Sequence, residues 1–454
     1  MNRLNFRKTI AAATILVAVT TVLAETEKPP NIILIMADDM GYGDLGCYGN
    51  KVIATPNIDT LADEGMRCTD FYAAAAWCMP SRKGLMTGIH PHRGGLSNSK
   101  ALAERVTIAE MLKSHGYATA LLGKWHLGGG EGNSPMDQGF DYHYGTPGSN
   151  DAPAPKGRKQ TYDTFKTAKE EEWPIPLMRN GEVIEKPAKQ SLFTQRYTNE
   201  AVRFIKKNKE NPFFIYLAHN MPHVPLFASE KFKGKSKGGI FGDVIEELDW
   251  SVGEIVKTLK EQGLSDSTLV VFTSDNGPWT MFKEFGGTAG PLRGEKSTTW
   301  EGGPRVPCIF YWPGRIKPSV SSAFMVNIDI YKTIASVTGS KIQPGEAVDG
   351  LDMSEVLFDN QKSPRKDYLF IHEIPLSYRS GDYKIHFGTR ERTRNPDTGK
   401  GEPAVILDKP LLFNIKKDIG EKNDMASENP EILQRLIKEF HAAVKDITGK
   451  DYPK

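Results

Sequence analysis

The chain has 454 residues, 39% of them hydrophobic and 25% charged, and a formal net charge of +2. That length exceeds one ordinary domain, and the near-neutral balance excludes a global field for nucleic acid or a membrane surface. Four cysteines exclude a disulfide scaffold, so any anion specificity must arise at a local site.

Residues 1–24 stand apart. Arg3, Arg7 and Lys8 precede an apolar run, Ile10 to Leu23, that closes Val22-Leu23-Ala24. A basic head, a run short for a membrane span and a small residue at its end read as a secretory signal, with an uncleaved anchor as the alternative. Secretion or export to a periplasm is the expected localisation. No cysteine lies near the cut, which argues against a lipoprotein.

Asn31 to Met36 is a continuous apolar run, the pattern of a strand buried on both faces, and it runs into Ala37-Asp38-Asp39. Asn57 to Arg67 reads as a helix. In Ala76 to Gly88 a helix is expected to start near Pro80, just after Cys78, because proline suits a first turn. A cysteine at a helix N-terminus, with Arg82 one turn on, is expected to lean towards thiolate in an anion-attracting pocket. Thr107 to His115 is amphipathic, and Gly116 ends it. Tyr117 to Leu122 is a second apolar strand, discharging into Gly123-Lys124-Trp125-His126. Residues 128–190 lack a clear period and read as surface loops over a cleft. A helix over Ser191 to Lys207 leads to a third strand, Pro212 to Leu217, which ends in Ala218-His219-Asn220-Met221-Pro222-His223. A long helix, Phe241 to Gln262, precedes a fourth strand, Thr268 to Phe272, which ends in Thr273-Ser274-Asp275-Asn276-Gly277.

Apolar strands alternating with helices predict an α/β fold with a large, mostly parallel sheet, and in such sheets ligands bind at the carboxyl ends of the strands. The polar ends of all four strands are therefore expected on one edge. After about residue 360 the texture changes. Tyr368 to His372, Tyr383 to Gly388, Ala404 to Leu407 and Leu411 to Ile415 read as short strands, and Pro430 to Ile447 as a closing amphipathic helix. The expected organisation is a signal at 1–24, an α/β domain at 25–360 and a smaller α+β domain at 361–454, with a short antiparallel sheet and that helix.

Asp38, Asp39, Asp275 and Asn276 offer only oxygen ligands, which select Ca²⁺ or Mg²⁺ over zinc, although each pair also fits ordinary turns and caps. Trp77, Trp125, Trp279 and Trp300 lie near these segments; core packing is their commoner role, and stacking on a sugar ring the alternative.

Cys78-Met79-Pro80-Ser81-Arg82, with Leu85, Thr87 and Gly88 behind it, resembles the signature of the formylglycine-dependent sulfatases of the alkaline phosphatase superfamily. Six matching segments follow the family's order across residues 31–303. The resemblance implies that a formylglycine-generating enzyme oxidises Cys78 to an aldehyde whose hydrate attacks sulfur. It implies a Ca²⁺ ion on Asp38, Asp39, Asp275, Asn276 and modified Cys78. It gives Arg82 and Lys124 stabilising roles, His126 the role of base, and His223 and Lys296 the sulfate, which either could leave with a proton on the departing oxygen. Ser149 resembles a weaker substrate contact. The implied activity is hydrolysis of sulfate monoesters, on extracellular sulfated carbohydrate such as polysaccharide or glycosaminoglycan fragments. Two rivals are a phosphomonoester or phosphonate hydrolase on the same scaffold and a non-catalytic secreted glycan-binding protein. No nucleic-acid partner is expected, and no stable membrane span once the signal is cleaved. Pairing among Cys47, Cys68 and Cys308 stays open.

Overall fold

The four apolar strands read from the sequence lie side by side in the computed structural model, which describes residues 28–95, 101–343, 346, 348–392 and 394–452. The signal segment lies outside the described residues. Thr268–Ser274, Asn31–Ala37, Phe213–Ala218 and Ala118–Lys124 are parallel neighbours in that order, within a ten-stranded mixed sheet. Alternation buries both faces of the first strand. Ile33 and Ile35 pack on one side with the Phe193–Asn208 and Gly239–Glu261 helices. Ile32, Leu34 and Met36 pack on the other, with residues of the Cys78–Thr87 and Asp329–Thr338 helices. A two-sided apolar core of this kind is what a parallel sheet requires.

Several expectations are corrected. Residues 128–190 are not only loops: Tyr142–Thr146 is a fifth parallel strand, and Leu177–Arg179 and Glu182–Glu185 continue the sheet beyond it. The Cys78–Thr87 helix starts at Cys78 itself, with Trp77 at its N-cap, so Cys78 is inside the helix and Pro80 is its third residue, still in the first turn. On the other side Cys308–Tyr311 runs antiparallel to Thr268–Ser274, and Met66–Cys68 and then Ser319–Ser321 carry the sheet to its edge.

The C-terminal unit is a four-stranded antiparallel sheet in simple sequence order, Asp367–His372, Ile374–Ser380, Tyr383–Thr389 and Val405–Asn414. The stretches expected as separate strands near 404–407 and 411–415 are one strand, and Ile374–Ser380 was not expected. The Pro430–Thr448 helix closes this sheet through Leu436, Phe440 and Val444. Cys47, Cys68, Cys78 and Cys308 are all free thiols.

Candidate active site

The strand ends deliver their polar residues to one buried pocket. Asp38 and Asp39 leave Asn31–Ala37 directly, Asp39 adopts φ +66, and an oxygen from each carboxylate lies within 4.8 Å of the other and of a His223 ring nitrogen. Asp275 and Asn276 leave the neighbouring strand. The two pairs interlock: Asp39 N–H donates to Asp275 Oδ1 at 3.2 Å, and Asn276 Nδ2 donates to Asp39 Oδ1 at 2.7 Å. Gly277 permits this, because a Cβ there would lie 1.9 Å from the Gly302 carbonyl oxygen.

Buried cations bind the carboxylates. Arg82 donates from Nε to Asp275 at 2.7 Å and approaches Asp38 at 3.7 Å. Lys124 donates to Asp38 at 2.5 Å, and Lys296 to Asp39 at 2.8 Å. Three acids thus face three bases, the neutrality that buried charge demands. Burial alone would raise the Asp38 carboxyl, but Lys124, His223 and Arg82 outweigh it and hold it below its usual range. The Cys78 sulfur and carboxylate oxygens of Asp38 and Asp275 all lie within 4.8 Å of one another.

The thiolate expectation for Cys78 is overturned. Burial pushes its thiol up to about 11, despite the pull of Lys124 and Lys296, because desolvation of a thiolate outweighs cations already paired with carboxylates. An unmodified Cys78 is therefore a neutral thiol near pH 7.

Lys124 and His126 converge on the pocket from a strand end and the loop that follows it. The strand ends at Lys124, and His126 sits at φ +57 in the following loop. Burial, then Lys124, holds the His126 imidazole well below its usual value, so it is neutral, with one ring nitrogen unprotonated. His223 Nδ1 lies 2.6 Å from the Val224 carbonyl. A carbonyl only accepts, so Nδ1 carries the proton and Nε2 faces Ser149 Oγ at 3.4 Å and Asp39 at 3.5 Å. All eleven residues singled out from the sequence are brought to this pocket.

Trp279 also belongs here: its ring lies 4.2 Å from Lys296 Nζ and 5.6 Å from the His223 ring. Trp125 and Trp300 are core residues, as the commoner reading had it. Sequence reasoning missed Tyr216, whose hydroxyl lies 3.5 Å from Arg82 Nη1; a lone hydroxyl in an otherwise apolar strand was the available sign. It also missed the strap on Lys296, where Lys296 N–H donates to Pro278 O and Ser297 N–H to Ala76 O at 2.6 Å.

The donors suit a hard cation. Asp38 Oδ1 and Asn276 Oδ1 are buried without a hydrogen-bond partner, and with the carboxylates of Asp39 and Asp275 they make a set of oxygen donors.

The chain is similar to known proteins over most of its length. A family model described as Sulfatase matches residues 30–340, and one described as the C-terminal region of aryl-sulfatase matches residues 363–451. Human arylsulfatase A is 38% identical over 460 residues, covering 94% of this chain and 90% of that protein. The crystal structure of the PsFucS1 sulfatase from Pseudoalteromonas sp. is 32% identical, covers 93% of this chain and 92% of that chain, and superposes with a TM-score of 0.82. A Bacteroides thetaiotaomicron chain described under the metabolism of multiple glycosaminoglycans is 29% identical, covers 92% and 99%, and gives a TM-score of 0.78.

Proposed function

This chain belongs to the sulfatase family and is a sulfuric ester hydrolase, and from that premise we propose that formylglycine made from Cys78 is its nucleophile and an extracellular sulfated carbohydrate its substrate. The observation that carries the first part is the place of Cys78, buried at the head of its helix with its sulfur and carboxylate oxygens of Asp38 and Asp275 all within 4.8 Å of one another. A side chain that stays a neutral thiol at pH 7 is a poor nucleophile, whereas the hydrate of its aldehyde offers one hydroxyl to attack and a second to drive release.

The residues take these roles. Lys124, beside residue 78, orients the hydrate. Arg82 holds Asp275 and Asp38 in place. Lys296 and His223 line the side of the pocket that would receive the sulfate oxygens, with Ser149 behind His223. As the S–O bond breaks, negative charge moves to the leaving oxygen, and Lys296 or His223 is positioned to supply a proton. Neutral His126 then removes the proton of the second hydroxyl, the aldehyde re-forms and sulfate leaves. Asp38, Asp39, Asp275 and Asn276 would hold Ca²⁺, or less favourably Mg²⁺, which supplies charge stabilisation to the sulfate group.

Sulfated carbohydrate is supported by the glycosaminoglycan setting of the Bacteroides relative. Export is supported by the basic and apolar pattern of residues 1–24. No described helix is long and apolar enough to cross a membrane. We divide the chain at about 360 into a catalytic unit and a C-terminal unit.

The test is the mass of the tryptic peptide Cys68 to Arg82, from cells that also express a formylglycine-generating enzyme. The expected mass is lowered by exchange of a thiol for an aldehyde, at Cys78 and not at Cys68. A retained thiol in protein that still releases sulfate would defeat the nucleophile assignment. Matched aryl sulfates and phosphates then separate the phosphoryl rival, and only the sulfate ester is expected to turn over well.

A further inference from the structure

One cation at the rim of this pocket has no part in the chemistry above. Between Tyr383–Thr389 and Val405–Asn414 the chain leaves the C-terminal sheet. Arg394 and Gly401 pair there as an antiparallel bridge, and Asn395 Oδ1 accepts the N–H groups of Asp397 and Thr398 at 3.0 Å each. The tip docks on the large unit, where Tyr162 N–H donates to the Pro396 carbonyl at 2.9 Å.

Docking sets the Arg394 guanidinium carbon 5.8 Å from the centre of the Trp279 ring, the same indole that Lys296 and His223 border. Arg394 Nη1 donates to Gln160 Oε1 at 2.6 Å, and Gln160 Nε2 donates to Asp151 at 2.5 Å. Asp151 is two residues beyond Ser149. An amide oxygen and an indole orient a guanidinium without neutralising it.

The neighbouring arginines are neutralised. Arg390 pairs with Glu373 at 2.8 Å and Arg392 with Glu402 at 3.3 Å. No described carboxylate forms an ion pair with Arg394, and its Nε is buried without a hydrogen-bond partner. A planar fork of N–H donors, oriented and unneutralised, matches a carboxylate or sulfate group.

We propose that Arg394, set by Gln160 and Trp279, binds a second anionic group of the substrate, so that the enzyme selects sulfated carbohydrate bearing a further carboxylate or sulfate over a singly charged ester. The inference rests on the reading of Lys296 and His223 as the groups that face the reacting sulfate. Arg394 shares the Trp279 ring with both, so the second anion lies on the same sugar or the next one.

The experiment compares the matured parent with Arg394→Gln and Arg394→Lys on three probes. These are 4-nitrophenyl sulfate, a neutral disaccharide carrying one sulfate, and the same disaccharide with either a second sulfate or a uronate carboxylate. The parent is expected to favour a doubly charged sugar over the singly charged one in kcat/KM by about tenfold or more, the scale of one charge-assisted hydrogen bond. Arg394→Gln is expected to erase that ratio mainly through KM. Arg394→Lys keeps part of it, because an ammonium supplies charge but not the fork. Added salt narrows the parent's ratio. Whichever doubly charged sugar is favoured identifies the second anion. Equal kcat/KM of the parent on singly and doubly charged sugars overturns the proposal without any variant. So does an Arg394→Gln enzyme that loses all three probes in the same proportion, the signature of a merely structural role. If the parent, with Cys78 shown by mass to be converted, hydrolyses no sulfate ester at all, the sulfatase chemistry itself fails and this inference with it.

Discussion

Asp38 Oδ1 and Asn276 Oδ1 are buried oxygens that accept no hydrogen bond, and such lone pairs cost free energy unless something electropositive meets them. Their neighbours on Asp39 and Asp275 already receive N–H groups or cations, which leaves these two as the direction of unmet demand. A divalent cation bound there stabilises only the folded state, because the ligands come from strand ends more than two hundred residues apart in sequence. Millimolar Ca²⁺ added to chelator-treated protein is therefore expected to raise Tm, by an amount equivalent to about 2.7 kcal/mol at a hundredfold excess over Kd. Asn276→Ala, which removes one of the two open oxygens, should blunt the response. A Tm indifferent to Ca²⁺ and to chelation would remove the cation from this site. The reading of Cys78 failed at the same scale for a plain reason. Motif and helix position show which charges surround a thiol, but not how completely water is excluded from it, and exclusion is the larger effect here.

The Pro56–Glu64 helix receives no cap from its own Thr55 side chain. Asp249, on the Gly239–Glu261 helix, does the work instead: it accepts Ile58 N–H at 2.8 Å and Asn57 Nδ2 at 2.7 Å. Burial raises this carboxyl from 3.8 to about 6, against those hydrogen bonds. The folded state therefore binds more protons than the unfolded chain between those values. The contribution favours folding fully below the unfolded pKa and is lost as pH rises through about 6, by up to roughly 3 kcal/mol. Urea midpoints measured from pH 4 to 7 should fall less steeply in Asp249→Asn than in the parent; parallel curves would exclude this carboxyl as a source of the slope. Elements of this kind also show what sequence reading could reach. The strands at 31–37, 118–124, 213–218 and 268–274 are legible because burial on both faces demands unbroken apolar runs, and their ends made most of the site legible too. Tyr142–Thr146 was hidden because its polar groups are satisfied elsewhere in the fold, as when Tyr142 Oη donates to Glu200 at 3.0 Å. Ile374–Ser380 was hidden because Arg379 is buried against Asp70, more than three hundred residues away. Arg394 is beyond sequence reasoning for the same reason, since only docking of its loop brings it to Trp279.

The two units meet through buried charge, and this couples the C-terminal sheet to the pocket. Glu301 lies five residues beyond Lys296 on the same loop, and its N–H donates to Glu421 at 2.7 Å. Lys384 bridges the two carboxylates at 2.8 Å from Glu301 and 3.2 Å from Glu421, with all three side chains fully buried. Arg305 pairs with Glu301 at 3.0 Å, and Arg379 joins Asp70 at 2.6 Å, so three cations meet three anions across the junction. His386 donates no further charge: burial, the largest influence on it, lowers its pKa, and it packs on Trp300 with ring centres 4.3 Å apart. Removing Lys384 alone leaves Glu421 without that cation, while Glu301 keeps Arg305. Lys384→Met is thus expected to cost about 3–5 kcal/mol, read as a lowered urea midpoint. Because Glu421 supports the Lys296 loop, KM for a sulfate ester should rise as well, in protein whose Cys78 is shown by mass to be converted. Adding Glu421→Gln to Lys384→Met removes the stranded charge, so the double variant should be more stable than the sum of the two single losses allows. Strict additivity would mean that the two side chains act independently and that the junction does not transmit to the pocket through this pair.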